Sequence, residues 1–294
     1  EHTYWKEPPR DMSFEEFKKI IEQFPRLKWI GLSGIGSAFL NKDFLKMLRL
    51  LKAKGIFVEF FDTFDLITPQ ISEELVRLGI DKIWMSIDAA KKQTYELIRV
   101  GGDFDRVINN LKSLIEIKKR FKTPIPELWF HYIMNAYNVS EAPEFVDLVG
   151  AIINQSKTNY ATLLFFTSLL YFDEVKHLRP DIPKEIKEQV LEKAKRHNLY
   201  VNWNENILAN KPVSDCTKWT EPFVLATAHL QPCCAINEAN DREYQKQNSF
   251  ANLLEEDFRD IWRSNRLKEF RRKIHKGIFP QICKNCRLYM RFTK

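Results

Sequence analysis

The chain of 294 residues combines 44% apolar with 29% charged residues and has only 9 glycines and 13 prolines. This composition supports a sizeable folded core and excludes disordered, collagen-like and low-complexity proteins. Uncharged apolar runs stay below the roughly 18 residues that a membrane-spanning helix needs, so no membrane span is predicted. The net charge of +7 is modest for this length, and its mixed distribution argues against nucleic acid as a partner.

Helix-like and strand-like stretches alternate through the first two hundred residues. An amphipathic helix is predicted over residues 13–24, where Ser13 and Glu16 form a capping box. Further strands are predicted over 27–33, 56–61, 82–88, 128–134, 161–167 and 200–204, and helices over 44–53, 71–78, 104–121, 141–153 and 183–197. Continuous apolar strands that alternate with helices predict a parallel sheet with covering helices, in a partial or complete barrel.

The pattern changes near residues 209–214, with the sequence ANKPVS. The segment that follows bears all the cysteines, is rich in loops and ends in one basic helix. We therefore predict two domains, a barrel over residues 1–209 and a small domain over residues 210–294.

The cysteines have the arrangement of a metal site. An odd number in one segment makes a poor disulfide framework, whereas the C-x-x-C pair of Cys283 and Cys286 holds two thiolates on one side of a tight turn. Cys216 and one of Cys233 and Cys234 would complete four ligands. Because thiolates suit both zinc and iron–sulfur clusters, the spacing leaves the metal open.

These C-terminal residues resemble a known domain. Cys216, the pair Cys233-Cys234, Asn252-Leu253, Ile261-Trp262 and Cys283-x-x-Cys286 follow the order seen in the SPASM domain, or its shorter twitch form, of radical S-adenosylmethionine (SAM) enzymes. The resemblance implies an auxiliary [4Fe–4S] cluster held by cysteines among these five. The five cysteines suffice for one cluster and not for two, so the twitch form fits better than the two-cluster form.

The first domain resembles the same family. Residues 33–44 are similar to its GGGEPLLNPDF segment, with Ser37 and Ala38 in place of Glu and Pro, and residues 86–88 are similar to its SID segment. Residues 62–64, Asp-Thr-Phe, stand where the family usually has TNG. The resemblance implies a partial (β/α)6 TIM-like barrel whose contacts to SAM lie at the carboxyl ends of the strands. The candidate SAM-binding residues are Gly34, Gly36, Ser37, Ser86, Asp88, Arg99 and Asn135, and catalytic residues remain unassigned.

The C-x-x-x-C-x-x-C loop that holds the SAM-binding cluster in this family does not occur in the sequence. Thr3 stands near the position of its third cysteine. We consider two explanations: the first strand and the cluster loop lie upstream of residue 1, which we favour, or the cluster site is altered. A second [4Fe–4S] cluster and SAM are expected if the upstream loop exists.

The resemblance implies an oxidoreductase or maturase that forms a 5′-deoxyadenosyl radical to modify a peptide or a cofactor precursor. Two alternatives stay open, a degenerate barrel that serves as an electron-transfer or peptide-binding scaffold and a zinc-stabilised structural module. The expected partners are a peptide or small-molecule substrate and a ferredoxin- or flavodoxin-type reductant. Five thiols without a disulfide pattern predict a cytoplasmic location.

Overall fold

The computed structural model describes residues 10–34, 36–154, 162–169, 173–204, 220–233 and 242–278. The chain divides into two compact units. Lys28–Glu205 form one, which we call the barrel unit, and Glu1–Leu27 with Asn206–Lys294 form the other, which we call the small unit.

The elements are numbered in chain order. The described strands are β1 (Trp29–Leu32), β2 (Phe57–Asp62), β3 (Lys82–Ser86), β4 (Glu127–Met134), β5 (Leu163–Ser168), β6 (Tyr200–Asn204), β7 (Phe223–Val224), β8 (His229–Gln231) and β9 (Ala251–Asn252). The described α-helices are α1 (Phe14–Glu22), α2 (Phe44–Ala53), α3 (Pro69–Leu78), α4 (Lys92–Ile98), α5 (Phe104–Phe121), α6 (Ala142–Ile153), α7 (Lys184–His197), α8 (Arg242–Gln247), α9 (Phe258–Arg263) and α10 (Asn265–His275). Within the described part of the chain, no helix has the length and apolar character needed to cross a membrane.

The barrel unit is built on one parallel sheet. Its six strands are hydrogen-bonded in the order β1-β2-β3-β4-β5-β6, and every neighbouring pair is parallel. Helices follow the strands in sequence, as parallel crossover connections require. This arrangement confirms the predicted α/β partial barrel.

The two faces of this sheet differ in burial. Along β4, buried and half-buried side chains alternate without exception, and β2 and β3 show the same alternation over most of their length. Val58, Phe60 and Ile83 are fully buried. Because successive side chains point to opposite faces of a strand, one face is the helix-covered core and the other is the inner face of the barrel.

Local sequence explains where the helices begin and end. Ser13 and Glu16 form the predicted capping box at the start of α1. The hydroxyl of Thr68 accepts a hydrogen bond from the Ile71 N–H at the start of α3, and Gly79 ends that helix with a φ of 68°. A residue without a Cβ adopts this left-handed conformation at little cost.

The small unit joins α1 to a three-stranded antiparallel sheet with the order β7-β8-β9. Ile20 of α1 shares a core with Leu230, Leu253 and Ile261. The Gln23 side chain donates to the Leu253 carbonyl over 2.6 Å and accepts from the Phe258 N–H over 2.8 Å. These contacts group α1 with the C-terminal residues, whereas the sequence division had assigned it to the barrel.

The predicted elements of the barrel unit all occur, with ends that shift by one or two residues. The helix α4 was not predicted, because it has seven residues, no side-chain cap at Lys91 and a single buried side chain, Tyr95. A pattern of apolar spacing needs more than one buried position to become visible. The short strands of the small unit were not predicted for the same reason.

Candidate functional site at the carboxyl edge of the sheet

The turn after β1 is held in place by a carboxylate at the end of β2. Asp62 is 1% exposed and accepts hydrogen bonds from the Ser37 hydroxyl (2.9 Å), the Ala38 N–H (2.8 Å) and the Phe64 N–H (2.6 Å). Burial raises the pKa of Asp62 to about 6, and the three donors oppose that shift. The chain between β1 and α2 is therefore attached to the adjacent strand through one buried side chain.

Both predicted glycines of this turn are exposed. Gly36 has a φ of +81°, a conformation that side chains rarely adopt, and a Cβ at Gly34 would meet no atom within 4 Å. The backbone of this turn is thus open to solvent beside the buried Ser37–Asp62 pair. A backbone of this kind can offer carbonyl groups to a ligand.

An ion pair with a buried carboxylate and a half-buried guanidinium lies beyond the end of β3. Asp88 is 4% exposed and pairs with Arg99, whose Nε donates to the Asp88 Oδ2 over 3.0 Å while its Nη2 contacts the same oxygen. The other carboxylate oxygen, Oδ1, accepts from the Ile133 N–H of β4 over 2.8 Å. Asp88 therefore connects the turn after β3 to the neighbouring strand and orients the guanidinium of Arg99.

Two asparagines extend this network to the turn after β4. The Asn138 side chain is fully buried, and its Nδ2 donates to the carbonyls of Asp88 (2.8 Å) and Ile133 (2.9 Å). Its Oδ1 accepts from the Asn135 N–H over 2.7 Å, and the Oδ1 of Asn135 accepts from the Tyr137 N–H over 2.9 Å. These buried amides fix the shape of the turn, because their donor and acceptor groups are occupied by hydrogen bonds within it.

Glu141 completes the connection between these turns. It is 7% exposed and accepts from the Thr94 hydroxyl over 2.5 Å and from the Ala90 N–H over 3.2 Å. The start of α4 is thereby attached to the residues that precede α6. The rim formed by the turns after β3 and β4 is consequently a hydrogen-bonded network rather than a set of independent loops.

The predicted SAM-binding residues fall into two groups in the structure. Gly34, Gly36 and Ser37 belong to the turn held by Asp62, whereas Asp88, Arg99 and Asn135 belong to the network around Asn138. Ser86 ends β3 with a half-buried side chain on the inner face. Because the carboxyl ends of parallel strands meet at one edge, both groups lie at the same edge of the barrel sheet.

Asp62 was not among the predicted site residues. Residues 62–64 differ from the family pattern, but a carboxylate at the end of an apolar strand is a signal in itself. Asn138 and Glu141 were also not among the predicted site residues, and the structure shows which groups their side chains bind. The contact between Asp88 and the backbone of β4 carries no signal in the sequence.

Of the predicted metal ligands, Cys233 alone lies in the described part of the chain. It is half-buried and follows β8. The other four, Cys216, Cys234, Cys283 and Cys286, lie outside the described residues, as does Thr3. Among the residues that are described, no three His, Cys, Asp or Glu side chains form a group that could hold a metal ion.

A parallel sheet in barrel order with a polar rim at its carboxyl edge places the chain among the α/β-barrel proteins, whose functional sites lie at that edge. The model of the radical SAM superfamily matches residues 2–149, and the model of the SPASM iron–sulfur cluster-binding domain matches residues 216–287. The chain belongs to the radical SAM superfamily and carries a C-terminal SPASM domain. SAM and iron–sulfur clusters are therefore its cofactors.

Several curated relatives match in sequence. The chain is 24% identical to the tungsten-containing aldehyde ferredoxin oxidoreductase cofactor-modifying protein of Pyrococcus furiosus, over 97% of this chain and 82% of that protein. It is 27% identical to a "Probable GTP 3′,8-cyclase" of Methanocaldococcus jannaschii, over 43% of this chain and 41% of that protein.

The barrel fold also matches solved structures. Streptococcus suis SuiB bound to the precursor peptide SuiA aligns with a TM-score of 0.65 and 14% identity, over 97% of this chain and 65% of SuiB. The chain thus spans about two thirds of the length of SuiB. At this identity the likeness concerns the fold.

Proposed function

We propose that this protein is a radical SAM oxidoreductase that modifies a cofactor precursor or a peptide with a 5′-deoxyadenosyl radical. The observation that carries the proposal is the Asp88–Arg99 pair, which is held by the backbone of β4 and lies at the edge where barrel cofactors bind. An ion pair whose carboxylate is buried and bound to a backbone N–H gives a binding site fixed geometry before the ligand arrives.

The rim residues have the chemistry that SAM requires. Exposed carbonyl groups of residues 34 and 36 would accept from its amino group, the Arg99 guanidinium would face its carboxylate, and Ser86 would donate or accept at its ribose. SAM bound to a [4Fe–4S] cluster supplies, on one-electron reduction, a radical that abstracts hydrogen from a substrate. Asp62, Asp88 and Asn138 would act on SAM only through the groups that they orient.

The donor set of the SPASM domain fits an iron–sulfur cluster. Five cysteines occur between residues 216 and 286, and thiolates are the usual ligands of [4Fe–4S] clusters. Cys283 and Cys286, with Cys216 and one of Cys233 and Cys234, would hold the auxiliary cluster. Its role would be to accept an electron from the substrate or to anchor the substrate.

The substrate class is supported by the names of the relatives. The Pyrococcus furiosus protein is named for the modification of a cofactor, and the SuiB structure contains a precursor peptide. We propose a cofactor precursor first and a peptide second, because the former relative matches in sequence at 24% identity, whereas SuiB, at 14%, matches in fold. A ferredoxin- or flavodoxin-type protein in the cytoplasm would supply the electron.

A non-catalytic scaffold is the competing function, and one observation favours it. The Ser37 hydroxyl, at the position of the family's glutamate, is already hydrogen-bonded to Asp62. A glutamate at this position would carry a negative charge, whereas the Ser37 hydroxyl is neutral. The scaffold would retain the auxiliary cluster and lose radical formation.

Metal and sulfide analysis of the anaerobically purified natural protein tests the proposal. We expect about eight iron and eight sulfide per chain, which corresponds to two four-iron clusters. About four of each would support the scaffold instead. About one zinc without sulfide would contradict both functions and indicate a structural module.

A further inference from the structure

The inner face of the barrel sheet is lined by aromatic side chains that remain partly exposed. Their neighbours on the opposite face of the same strands, such as Phe60, Phe130 and Phe166, are fully buried. Trp84, Trp129 and Phe165 are only half-buried, although they are as large as the core residues. The inner face is therefore a surface with room beside it, whereas the outer face is packed core.

The amino-terminal end of this face is closed by charges. Glu59, Lys82 and Glu127 occupy consecutive positions across β2, β3 and β4. The Lys82 Nζ lies 3.5 Å from the Glu59 Oε2 and 4.0 Å from the Glu127 Oε2. The same ammonium group lies 3.4 Å from the centre of the Trp129 ring. This layer forms a floor in which one ammonium group lies between two carboxylates.

Flat rings lie directly above this floor. Phe61 and Trp84 stack with centroids 5.0 Å apart and an angle of 11° between their planes. Trp84 also makes edge-to-face contacts with Trp129 and Phe165, with ring centroids 4.7 Å and 6.0 Å apart. The His131 ring stacks on Phe165 at 5.2 Å and 20°. The layer therefore presents several flat π surfaces that a planar ligand can stack against.

The groups above and beside these rings are polar and uncharged. Ser86, His131, Phe165 and Asn202 lie side by side across β3 to β6. The His131 Nε2 and the Thr167 Oγ1 are 2.8 Å apart. Burial lowers the pKa of His131, so its ring is neutral at pH 7.

From this geometry we propose that the inner face binds a fused, nitrogen-containing aromatic ring of the substrate, stacked on Phe165 and the tryptophan layer. Hydroxyl, imidazole and amide groups from Thr167, His131 and Asn202 would form hydrogen bonds with the donors and acceptors on the edge of that ring. This inference names the substrate class and rests on the proposed function.

Binding calorimetry on the anaerobic holoenzyme tests the inference. The probes are GMP, FMN and folate, each titrated in the presence of saturating SAM, with ribose 5-phosphate as the ring-free comparison. We expect at least one ring-bearing probe to bind about tenfold or more tightly than ribose 5-phosphate, because each stacked pair adds to the affinity.

Two adjacent phenylalanines provide matched variants. Phe165→Leu removes the stacking surface on the inner face, and Phe166→Leu makes the same change on the opposite face of β5. Phe165→Leu is expected to weaken the best probe about tenfold and Phe166→Leu to leave its affinity unchanged. His131→Ala, checked for folding by circular dichroism, is a second variant expected to weaken the same probe.

Three results would overturn the inference: no ring-bearing probe binds better than ribose 5-phosphate, SAM displaces every probe that binds, or Phe165→Leu and Phe166→Leu behave alike. Formation of 5′-deoxyadenosine is measured on the same samples. If it occurs and no ring binds, the inference fails and the proposed function stands. If a ring binds through Phe165 and no 5′-deoxyadenosine forms, the proposed function fails and the ring site stands.

Discussion

At the scale of single residues, the buried carboxylates at the carboxyl edge act on backbone groups as much as on side chains. Asp62 accepts from the N–H groups of Ala38 and Phe64, and Asp88 accepts from the N–H of Ile133 within β4. Asp62 therefore holds the turn after β1, and Asp88 attaches the turn after β3 to the neighbouring strand. Replacing either one leaves buried donors without an acceptor, which costs more than the hydrogen bonds themselves contribute.

Asp62→Ala is predicted to weaken SAM binding about tenfold or more, because the Ser37 turn loses its attachment to β2. Equilibrium dialysis with labelled SAM measures the effect on anaerobically prepared protein. Asp105→Ala, at an exposed carboxylate of α5, is the matched control and is expected to bind SAM normally. Equal affinities of the two variants would show that the turn does not depend on Asp62.

Lys118 makes stability depend on pH in the alkaline range. Its side chain is fully buried, its Nζ donates to the Pro126 carbonyl over 2.6 Å, and burial lowers its pKa from 10.5 to about 7. Between these two values the unfolded chain binds a proton that the folded chain does not. The free energy of unfolding therefore rises with pH across this window, and this contribution is lost as the pH falls through 7.

Relative to Lys118→Met, the wild-type protein is predicted to gain about 1.4 kcal/mol of unfolding free energy per pH unit between pH 7.5 and 9.5. Urea unfolding at several pH values measures this difference in slope. Lys119→Met, at an exposed position of the same helix, is the control and is expected to follow the wild type. Parallel curves for the wild type and Lys118→Met would contradict the assigned pKa.

At the scale of elements, sequence patterns predicted the long helices and the barrel strands well. The helix α5 has seven buried side chains over 18 residues, so its apolar spacing is unmistakable. The position of α1 could not be predicted in this way. Its amphipathic pattern indicates that one face is buried but contains no information about which unit covers that face.

The attachment of α1 to the small unit depends on Gln23. Gln23→Ala is predicted to lower the free energy of unfolding by about 1–3 kcal/mol, because the Leu253 carbonyl and the Phe258 N–H both lose their partner. Hydrogen exchange should show faster opening of α1 in this variant. Gln70→Ala, at an exposed glutamine of α3, is expected to have little effect on either measurement.

At the scale of the whole molecule, the class of fold and the family could be predicted, whereas much of the site could not. Alternating strands and helices and the spacing of Cys283 and Cys286 are properties of neighbouring residues, so the sequence displays them directly. The link from Asp88 to the Ile133 N–H spans 45 residues and involves a backbone atom. Such contacts arise only when the strands are assembled. The two-domain division at residues 209 and 210 stays a prediction.

The central claim is that this chain binds SAM at the carboxyl edge of its barrel and cleaves it to a radical. The most direct test is the formation of 5′-deoxyadenosine from SAM by the natural protein, purified without oxygen and reduced with dithionite. We predict reductant-dependent product that falls more than about tenfold in Arg99→Ala, which leaves the buried Asp88 carboxylate without its partner, and is unchanged in Arg77→Ala, which breaks an exposed pair. Protein that contains its full iron and sulfide and binds SAM, yet forms no 5′-deoxyadenosine with any reductant, would contradict the claim.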